Sequence, residues 1–266
     1  MISLATLTEP AAPKKVLPFE ITSLDLLKSL AVVLMVIDHL GEYLYPEMLW
    51  LRAIGRIGFP VWFFMAGYAA PRMIEPRLII GGIILLVANY LAGQPLLPLN
   101  ALFSILLVRL LIHPIMKPVE AGQISIWFVA TVLTVLIIFT TPYTQYGTMA
   151  LITAIFGYLV RNRDKVIDQK IIVYYMIFSL TVFVLMQVIW FHFDWYQTAI
   201  VIAGTLMVRM QLLNLRMETY PALTAKLPAI ARGALKLMGR RTLEIYVVHL
   251  LLLKVIVVLL HIEPWK

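Results

Sequence analysis

An aspartate and a histidine, Asp38 and His39, are adjacent in the first strongly hydrophobic segment of the chain. Ionisable side chains at bilayer depth cost roughly several kcal/mol each, and they usually mark sites or pathways. Histidine changes its charge near neutral pH, so His39 is suited to act as a general base, or as a transient acyl acceptor, in a group transfer. Asp38 would then orient His39 or hold an acceptor group. The simpler alternative is a buried polar pair that only holds helices together.

The charged residues around His39 form a stripe if the segment is a helix. At about 100° and 1.5 Å per residue, Lys28 and His39 lie within roughly 20° of one face and about 16 Å apart. Asp25 and Glu42 fall near the same stripe, whereas Asp38 projects about 100° away from it. A polar stripe on a membrane helix must face a bundle interior or a wet cavity. The pattern therefore predicts a cavity with His39 at its deep end.

Two arginines follow this segment, Arg52 and Arg56, at positions i and i+4, so that they point the same way on a helix. We expect one of them to pair with Asp38, Glu42 or Glu47, with Arg56 facing the site rather than lipid. A cation near a reacting carbonyl stabilises the negative charge that develops there. The alternative is that both side chains extend to the lipid headgroups. The first interpretation is favoured for Arg56, and both stay open for Arg52.

A second histidine lies in the last hydrophobic segment, where Tyr246 and His249 are three residues apart. On a helix both side chains lie on one face, about 6–10 Å inside the inner membrane boundary. The pair is suited to line a cavity that opens to the cytoplasm. A structural role for either residue alone is the alternative.

The elements that must position these residues are membrane helices. Of 266 residues, 62% are hydrophobic and 14% are charged, and the mean hydropathy is +0.91. This composition excludes an ordinary soluble domain. At about 20 residues per span, the chain is long enough for eight to ten transmembrane helices in one domain. We therefore predict an all-α, polytopic transmembrane helical bundle.

Hydrophobic runs predict nine spans, at residues 23–44, 55–70, 77–92, 99–113, 125–141, 146–160, 171–190, 196–213 and 242–261. Residues 1–22 are predicted to be a flexible cytoplasmic lead, and residues 23–266 a single transmembrane domain. The lead does not have the pattern of a signal peptide, because its apolar run begins late and no small-residue cleavage pattern follows. Between residues 222 and 238, apolar and basic residues recur at near-helical spacing, which predicts an interfacial helix.

The basic residues predict the orientation of the chain, whose formal net charge is +8. Lysine and arginine are concentrated in alternate connecting segments, at Lys14, Lys15, Arg72, Arg77, Lys117, residues 161–170 and residues 209–241. Basic loops stay in the cytoplasm, so the N-terminus is predicted to be cytoplasmic in a bacterial-type inner membrane. Some of these cations, Arg240 and Arg241 first, are candidates to bind the phosphates of a cytosolic donor. Topology and binding of anionic lipid are the alternative for most of them.

Several kinds of site are excluded by the sequence. The chain has no cysteine, which excludes disulfides, thiol nucleophiles and thiolate metal sites. The remaining histidines have no metal-ligand spacing with carboxylates, so no metal is predicted. A Gly-rich phosphate loop and a G-x-S-x-G elbow are both missing. Nothing in the sequence favours nucleic-acid binding.

Residues 25–28 (Asp-Leu-Leu-Lys), 35–41 (Met-Val-Ile-Asp-His-Leu-Gly) and 52–60 (Arg-Ala-Ile-Gly-Arg-Ile-Gly-Phe-Pro) resemble the opening of the TraX family of membrane acetyltransferases. The wider acyltransferase family three is similar too. That family has an Arg, ten residues and a His in its first span, where Lys28 and His39 stand here. Its Phe-Phe-x-Ser-Gly resembles residues 63–67, and its Ser-Leu-x-x-Tyr-x-x-His resembles residues 242–249. The resemblance covers about the first 70 residues and the last span.

The resemblance implies that an acetyl group moves from cytoplasmic acetyl-CoA, as co-substrate, to an amine or hydroxyl acceptor. The acceptor would be a pilin N-terminus or a surface or lipid-linked glycan, with His39 as the essential residue. Asp38 and Arg56 would complete the catalytic group. The residues that would bind substrates are Lys28, Arg52, Tyr246 and His249, with Arg240 and Arg241 on CoA.

Two other classes of function stay open. One is a transporter or lipid flippase that uses Asp38, His39 and Arg56 as a substrate or proton path. The other is a non-catalytic membrane scaffold. The absence of an internal repeat and the clustered polar residues favour the enzyme. A transporter would move a solute without covalent change, which distinguishes it.

Overall fold

The computed structural model describes residues 18–71, 73, 75–166 and 168–260, and this part of the chain is helical, with two isolated β-bridges. The α-helices, in chain order, are α1 (Ser23–Tyr43), α2 (Leu49–Arg56), α3 (Phe59–Ala69), α4 (Pro76–Leu91), α5 (Ala101–Glu120), α6 (Ile126–Thr140), α7 (Met149–Arg161), α8 (Lys170–Phe191), α9 (Trp195–Leu213), α10 (Pro221–Lys226), α11 (Ala229–Arg240) and α12 (Thr242–Leu259). A short 3₁₀ turn, Arg163–Lys165, follows α7.

Four of these helices, α5, α8, α9 and α12, are long and apolar enough to cross a membrane, and α4, α6 and α7 are shorter apolar helices. Helix α1 has 21 residues but carries the charged stripe predicted from the sequence. A helix is present at each of the nine predicted spans, which confirms the all-α class. How many of the helices cross the bilayer, and which side holds the N-terminus, stay predictions.

The segment between the first two predicted spans is not a simple loop, because it contains α2, which folds back against α1. Two glycines permit the contact: a Cβ on Gly41 would meet Leu51 and Arg52, and a Cβ on Gly55 would meet the backbone of Asp38. The chain then turns at Gly58, and Pro60 lies in the first turn of α3. Proline is tolerated there because the first helical N–H groups have no partner within the helix. The predicted second span, residues 55–70, therefore begins at the last two residues of α2 and otherwise corresponds to α3.

The predicted interfacial helix at residues 222–238 is two helices, α10 and α11. The break falls at Leu227 and Pro228, where Leu227 has an extended backbone with ψ 138°. A residue that precedes proline is biased away from the helical conformation, which explains the break. Helix α11 packs along α1, and Gly239 lies so close to the backbone of Asp25 that no side chain would fit between them.

Within the predicted N-terminal lead, residues 1–17, with Lys14 and Lys15, lie outside the described residues, and residues 18–22 pack on the rest of the protein. Ile21 is fully buried, and its N–H donates to the hydroxyl of Thr224 at 2.9 Å. Thr22 caps α1 in a capping box with Asp25. Both backbone and side-chain contacts therefore hold the start of α1 in place.

The tightest packing between two helices joins α3 to α7. Gly67 approaches the backbone of Ala154, and Gly157 approaches the backbone of Phe64, so neither glycine has room for a Cβ. Small residues permit such close approach of helices in a membrane. These two glycine contacts fix the position of α3 against α7. Helix α3 forms one wall of the site described next.

Candidate functional site

Two arginines of α2 converge on Asp38 of α1. The Asp38 Oδ1 atom lies 3.2 Å from Nη1 of Arg52 and 3.3 Å from Nε of Arg56. Arg52 also pairs with Glu42, at 2.7 Å, and donates to the backbone carbonyl of Asp38 at 2.9 Å. Arg52 and Arg56 are only 6% and 5% exposed, so neither side chain extends to the lipid headgroups. The α1–α2 hairpin thus places the predicted cations on the predicted acid.

An aromatic ring from α8 supports both guanidinium groups. The Cζ atoms of Arg52 and Arg56 lie 5.0 Å and 4.6 Å from the centre of the Phe191 ring. The face of an aromatic ring attracts cations, and the attraction is stronger away from water. Phe191 therefore helps to fix the two arginines.

The two histidines predicted for the site meet across the bundle. Nδ1 of His39 lies 2.6 Å from Nε2 of His249, and the two rings stack with centres 4.9 Å apart. Nδ1 of His249 lies 2.7 Å from the carbonyl oxygen of Ile245. These residues are 210 positions apart in the sequence, so α12 must pack against α1 for the pair to form.

The contacts of His249 fix which nitrogens carry protons. The Ile245 carbonyl can only accept, so Nδ1 of His249 carries a proton and donates it. Nε2 of neutral His249 is then an acceptor, and His39 must donate to it from Nδ1. Nε2 of neutral His39 is left with a free lone pair. The arrangement therefore presents Nε2 of His39 as a base or nucleophile.

Tyr146, which the sequence analysis did not identify as a site residue, completes the group. It lies between α6 and α7, and its phenolic oxygen accepts a hydrogen bond from Nη1 of Arg56 at 2.7 Å. Its backbone has φ +73°, a left-handed conformation that is rare for a bulky residue. Such backbone strain tends to occur at functional sites. The Tyr146 ring packs on Phe59 and Phe63 of α3, with ring centres 4.0 Å and 5.7 Å away.

Two cavities meet at these residues. The first, called here the Arg240 cavity, has a volume of about 340 Å³ and extends from Arg240, Arg77 and Glu244 to His39. The second, called the Lys254 cavity, has a volume of about 300 Å³ and extends from Lys254 and Asn89 to His39. The residues that line both cavities are His39, Tyr146 and Tyr246.

The two cavities lie toward opposite ends of α1. The Arg240 cavity contacts α1 as far back as Lys28, and the Lys254 cavity contacts it as far forward as Tyr43. Fifteen residues separate these positions, which corresponds to about 22 Å along a helix. The same order holds on α12, from Thr242 to Lys254. His39 therefore lies where a ligand from one end would meet a ligand from the other.

Two cations in the Arg240 cavity, Lys28 and Arg109, have no carboxylate within ion-pair distance among the described residues. The Nε and Nη1 atoms of Arg109 are buried without a hydrogen-bond partner. Unpaired buried donors of this kind are costly unless a ligand or water binds them. Lys28 was predicted to bind substrate, and the structure places it in the cavity with Arg109.

The predicted phosphate ligands Arg240 and Arg241 are already engaged in other contacts. Arg240 pairs with Asp25 at 3.0 Å and donates to the backbone carbonyls of Pro18 and Glu20. Arg241 is exposed and pairs with Glu244 at 3.2 Å. Arg240 lines the Arg240 cavity, where it is accessible to a ligand. Its contacts within the protein, however, hold the start of α1 in place. Their predicted role on CoA stays a prediction.

The described residues offer one group with the spacing of a metal site, Asp38, His39 and Glu42, whose ligand atoms lie within 4.8 Å of one another. Both carboxylates of this group already bind Arg52, so a metal ion would compete with a guanidinium for each of them. The chemistry of the group therefore favours an ion-pair network.

Sequence reasoning missed Tyr146, Phe191, Arg109 and Lys254. Arg109 and Lys254 had a signal, because each is a cation with apolar residues on both sides in a hydrophobic run. Tyr146 and Phe191 had no such signal in the sequence, because an aromatic residue in a membrane segment usually faces lipid or packs in the protein core.

The chain matches the family model described as TraX protein over residues 23–257. It is also similar to the uncharacterized protein RP591 of Rickettsia prowazekii (strain Madrid E), with 35% identity over 138 residues, which are 52% of this chain and 56% of that protein. The chain thus spans about half the length of this curated relative. No solved structure matches the chain. The family match covers both histidines and both cavities, and on this basis the chain belongs to the TraX family.

Proposed function

We propose that this protein is an integral-membrane acetyltransferase that moves an acetyl group from acetyl-CoA to an amine or hydroxyl acceptor. The observation that carries the proposal is the free lone pair on Nε2 of His39 at the junction of two cavities. A two-substrate transfer needs a base where the two substrates meet. Membership of the TraX family supports the acetyl group as the one transferred.

In the proposed step, Nε2 of His39 takes the proton of the acceptor as its nitrogen or oxygen attacks the thioester carbon. A C–N or C–O bond forms and the C–S bond of acetyl-CoA breaks. The proton on Nε2 then passes to the departing sulfur, which leaves as the CoA thiol. His249 holds the Nδ1 proton of His39 throughout, so it acts as a positioning residue.

Tyr146 is suited to stabilise the oxyanion that develops on the acetyl carbonyl. Its oxygen accepts from Arg56, which leaves its O–H proton to donate into the cavities that it lines. A phenol that accepts from a guanidinium is a stronger donor, because hydrogen bonds in a chain polarise one another. Asp38 pairs with both arginines, Glu42 supplies the second negative charge, and Asp38 holds Arg56 in place. Donors aimed at developing charge are often the largest contribution to catalysis.

The donor enters through the Arg240 cavity in this proposal. Lys28 and Arg109 have unpaired positive charge there, and Arg77 lies at the mouth. Phosphate groups bind guanidinium and ammonium ions strongly. The excess of basic residues in the segments at this end supports its placement in the cytoplasm, where acetyl-CoA is available. The acceptor would then approach His39 through the Lys254 cavity.

The test measures release of CoA thiol from acetyl-CoA by the purified protein. A thiol reagent detects the released CoA without a background signal from the protein, because the chain has no cysteine. The variant His39→Ala should lose at least about 100-fold in kcat, since a positioned base contributes about 10²–10⁴-fold. His249→Gln, whose amide oxygen still accepts from Nδ1 of His39, should keep more activity than His249→Ala. The exposed His192, changed to Asn, is the matched control.

Normal turnover by His39→Ala, with an unchanged melting profile, would contradict the proposed role of His39. Transport of a solute across vesicles by the wild type, without any covalent change to it, would instead support the transporter interpretation. An equal loss in both His249 variants would indicate that position 249 matters for packing rather than for the tautomer of His39.

A further inference from the structure

We propose that the Lys254 cavity binds an acceptor that carries a carboxylate or phosphate beside its reacting amine or hydroxyl, with Lys254 holding that anionic group. That this ligand is an acetyl acceptor rests on the proposed function, whereas the anion site at Lys254 is argued from the structure alone.

Lys254 is a buried cation with only neutral partners. The residue is 5% exposed, and its Nζ atom donates to the hydroxyl of Tyr43 at 3.1 Å and to Oε1 of Gln94 at 2.6 Å. No carboxylate of a described residue lies within ion-pair distance of Nζ. An ammonium group has three protons, so these contacts leave one unused. A buried charge without a counter-ion is costly, which suits a residue that receives an anion from a ligand.

The charges around the Lys254 cavity leave a positive excess. The cations are Arg52, Arg56 and Lys254. The acids are Asp38 and Glu42, which pair with the two arginines, so three positive charges stand against two negative ones. Both acids are bound to arginine. The unbalanced charge is therefore that of Lys254, and it favours an anionic ligand in this cavity over a cationic one.

The position of Lys254 relative to His39 suits a small acceptor. Tyr43, which contacts Nζ, lies one helical turn after His39 on α1, and Lys254 lies five residues after His249 on α12. Both spacings correspond to about 6–8 Å along a helix. An acceptor of sugar size that has an anionic group at one end can therefore contact Lys254 while its nucleophile approaches Nε2 of His39.

The first experiment reads the electrostatics of the cavity without any catalysis. Because the chain has no cysteine, Asn89→Cys places one thiol in the lining of the Lys254 cavity. Rates are measured for a negatively charged and a positively charged methanethiosulfonate reagent. Adding Lys254→Gln should lower the ratio of the anionic to the cationic rate by about fivefold or more, as expected for removal of a nearby unit charge. Lys254→Arg should keep the ratio, and the exposed Lys170, changed to Gln, is the control.

An unchanged ratio in Lys254→Gln would overturn the anion site, and so would the same loss in Lys254→Arg or Lys170→Gln. All variants are checked for a native elution profile and melting temperature. This experiment decides the anion site even if no acetyl transfer is detected.

The second experiment tests the acceptor class with three amines that differ only at one carbon: glucosamine, glucosamine 6-phosphate and 2-amino-2-deoxyglucuronic acid. Acetyl transfer from acetyl-CoA should be more efficient for one or both anionic sugars than for glucosamine. The sugar with the higher efficiency shows whether the site favours a phosphate or a carboxylate. In Lys254→Gln that advantage should fall about tenfold, because a hydrogen bond to a charged group is worth about that much. Equal efficiency for neutral glucosamine in the wild type would overturn the anionic acceptor. If the wild type acetylates none of the three sugars while the cysteine reaction rates change as expected, the anionic acceptor of sugar size is overturned and the anion site stands. Acetyl transfer itself is decided by the release of CoA thiol.

Discussion

Single residues in this protein matter chiefly through the proton or charge that each one fixes. The carbonyl of Ile245 determines the tautomer of His249, which determines the tautomer of His39. Arg56 likewise determines where the phenolic proton of Tyr146 points. A chain of hydrogen bonds thus sets the orientation of Nε2 of His39 and of the Tyr146 hydroxyl, two groups that line both cavities. The Tyr146 hydroxyl is the proposed donor whose role can be tested by removing a single oxygen atom.

Tyr146→Phe removes that hydroxyl and keeps the ring on Phe59 and Phe63. We expect kcat for acetyl transfer to fall about 10²–10³-fold with a smaller change in KM, because loss of one oxyanion donor has this effect. Tyr143→Phe, at an exposed position in the same loop, is the matched control. Unchanged kcat in Tyr146→Phe would remove Tyr146 from the reaction and leave it as a ligand of Arg56.

At the scale of elements, the hairpin of α1 and α2 builds the charged half of the site. Its geometry depends on Gly41 and Gly55, which let the two helices approach until both arginines contact Asp38. Helix α11 and residues 18–22 brace the opposite end of α1 through Arg240. The Gly55 contact and the Arg240 contact can each be tested with a variant and a matched control.

Gly55→Ala should disturb the hairpin, since its Cβ would run into the backbone of Asp38. Overpacking of this kind costs about 1–3 kcal/mol, so we expect a lower melting temperature in detergent together with lost activity. The control is Gly233→Ala on α11, where a new Cβ meets nothing within 4 Å. That variant should be neutral or more stable by about 0.5–1 kcal/mol. Similar melting temperatures for both variants would contradict the close contact of α1 and α2.

Arg240→Gln should destabilise the protein by about 2 kcal/mol or more, because it leaves the buried Asp25 carboxylate without its cation. Arg241→Gln removes an exposed ion pair with Glu244 and should change stability by less than about 1 kcal/mol. Thermal unfolding measures both. A stable Arg240→Gln with a raised KM for acetyl-CoA would show that Arg240 binds the donor, as the sequence analysis predicted.

At the scale of the whole molecule, the bundle joins two cavities at one histidine. Lys28 and Arg109 lie toward one end and Lys254 toward the other, so the protein carries a separate positive charge on each approach to His39. This arrangement suits two anionic substrates that arrive from different sides.

Arg109→Gln should raise the KM for acetyl-CoA about tenfold and leave kcat nearly unchanged, because a phosphate contact far from the thioester is equal in ground and transition states. Added salt should weaken donor binding in the wild type more than in this variant. In sealed vesicles, acetyl-CoA should support transfer only from the cytoplasmic face. Support from the opposite face alone would reverse the assigned roles of the two cavities, and an unchanged KM would exclude Arg109 as a phosphate ligand.

The sequence by itself determined the helical, apolar class and the positions of the long helices, and it identified His39 as the candidate whose role stays a prediction. Hydropathy is a property of local composition, and a charged stripe on one helix can be read from its spacing. The pairing of Arg52 and Arg56 with Asp38 was also within reach, since only a short connection separates the two helices.

Only the tertiary structure decided which helices meet. The contact of His39 with His249, the left-handed backbone of Tyr146 and the neutral partners of Lys254 all depend on lateral packing. Helices in an apolar environment gain little from the hydrophobic effect on association, so close packing and a few polar contacts select their neighbours. Hydropathy carries no information on those contacts. The break between α2 and α3 also depends on packing, because Gly55 and Gly58 lie against α1. The division of the interfacial helix is instead a local effect of Pro228 on Leu227.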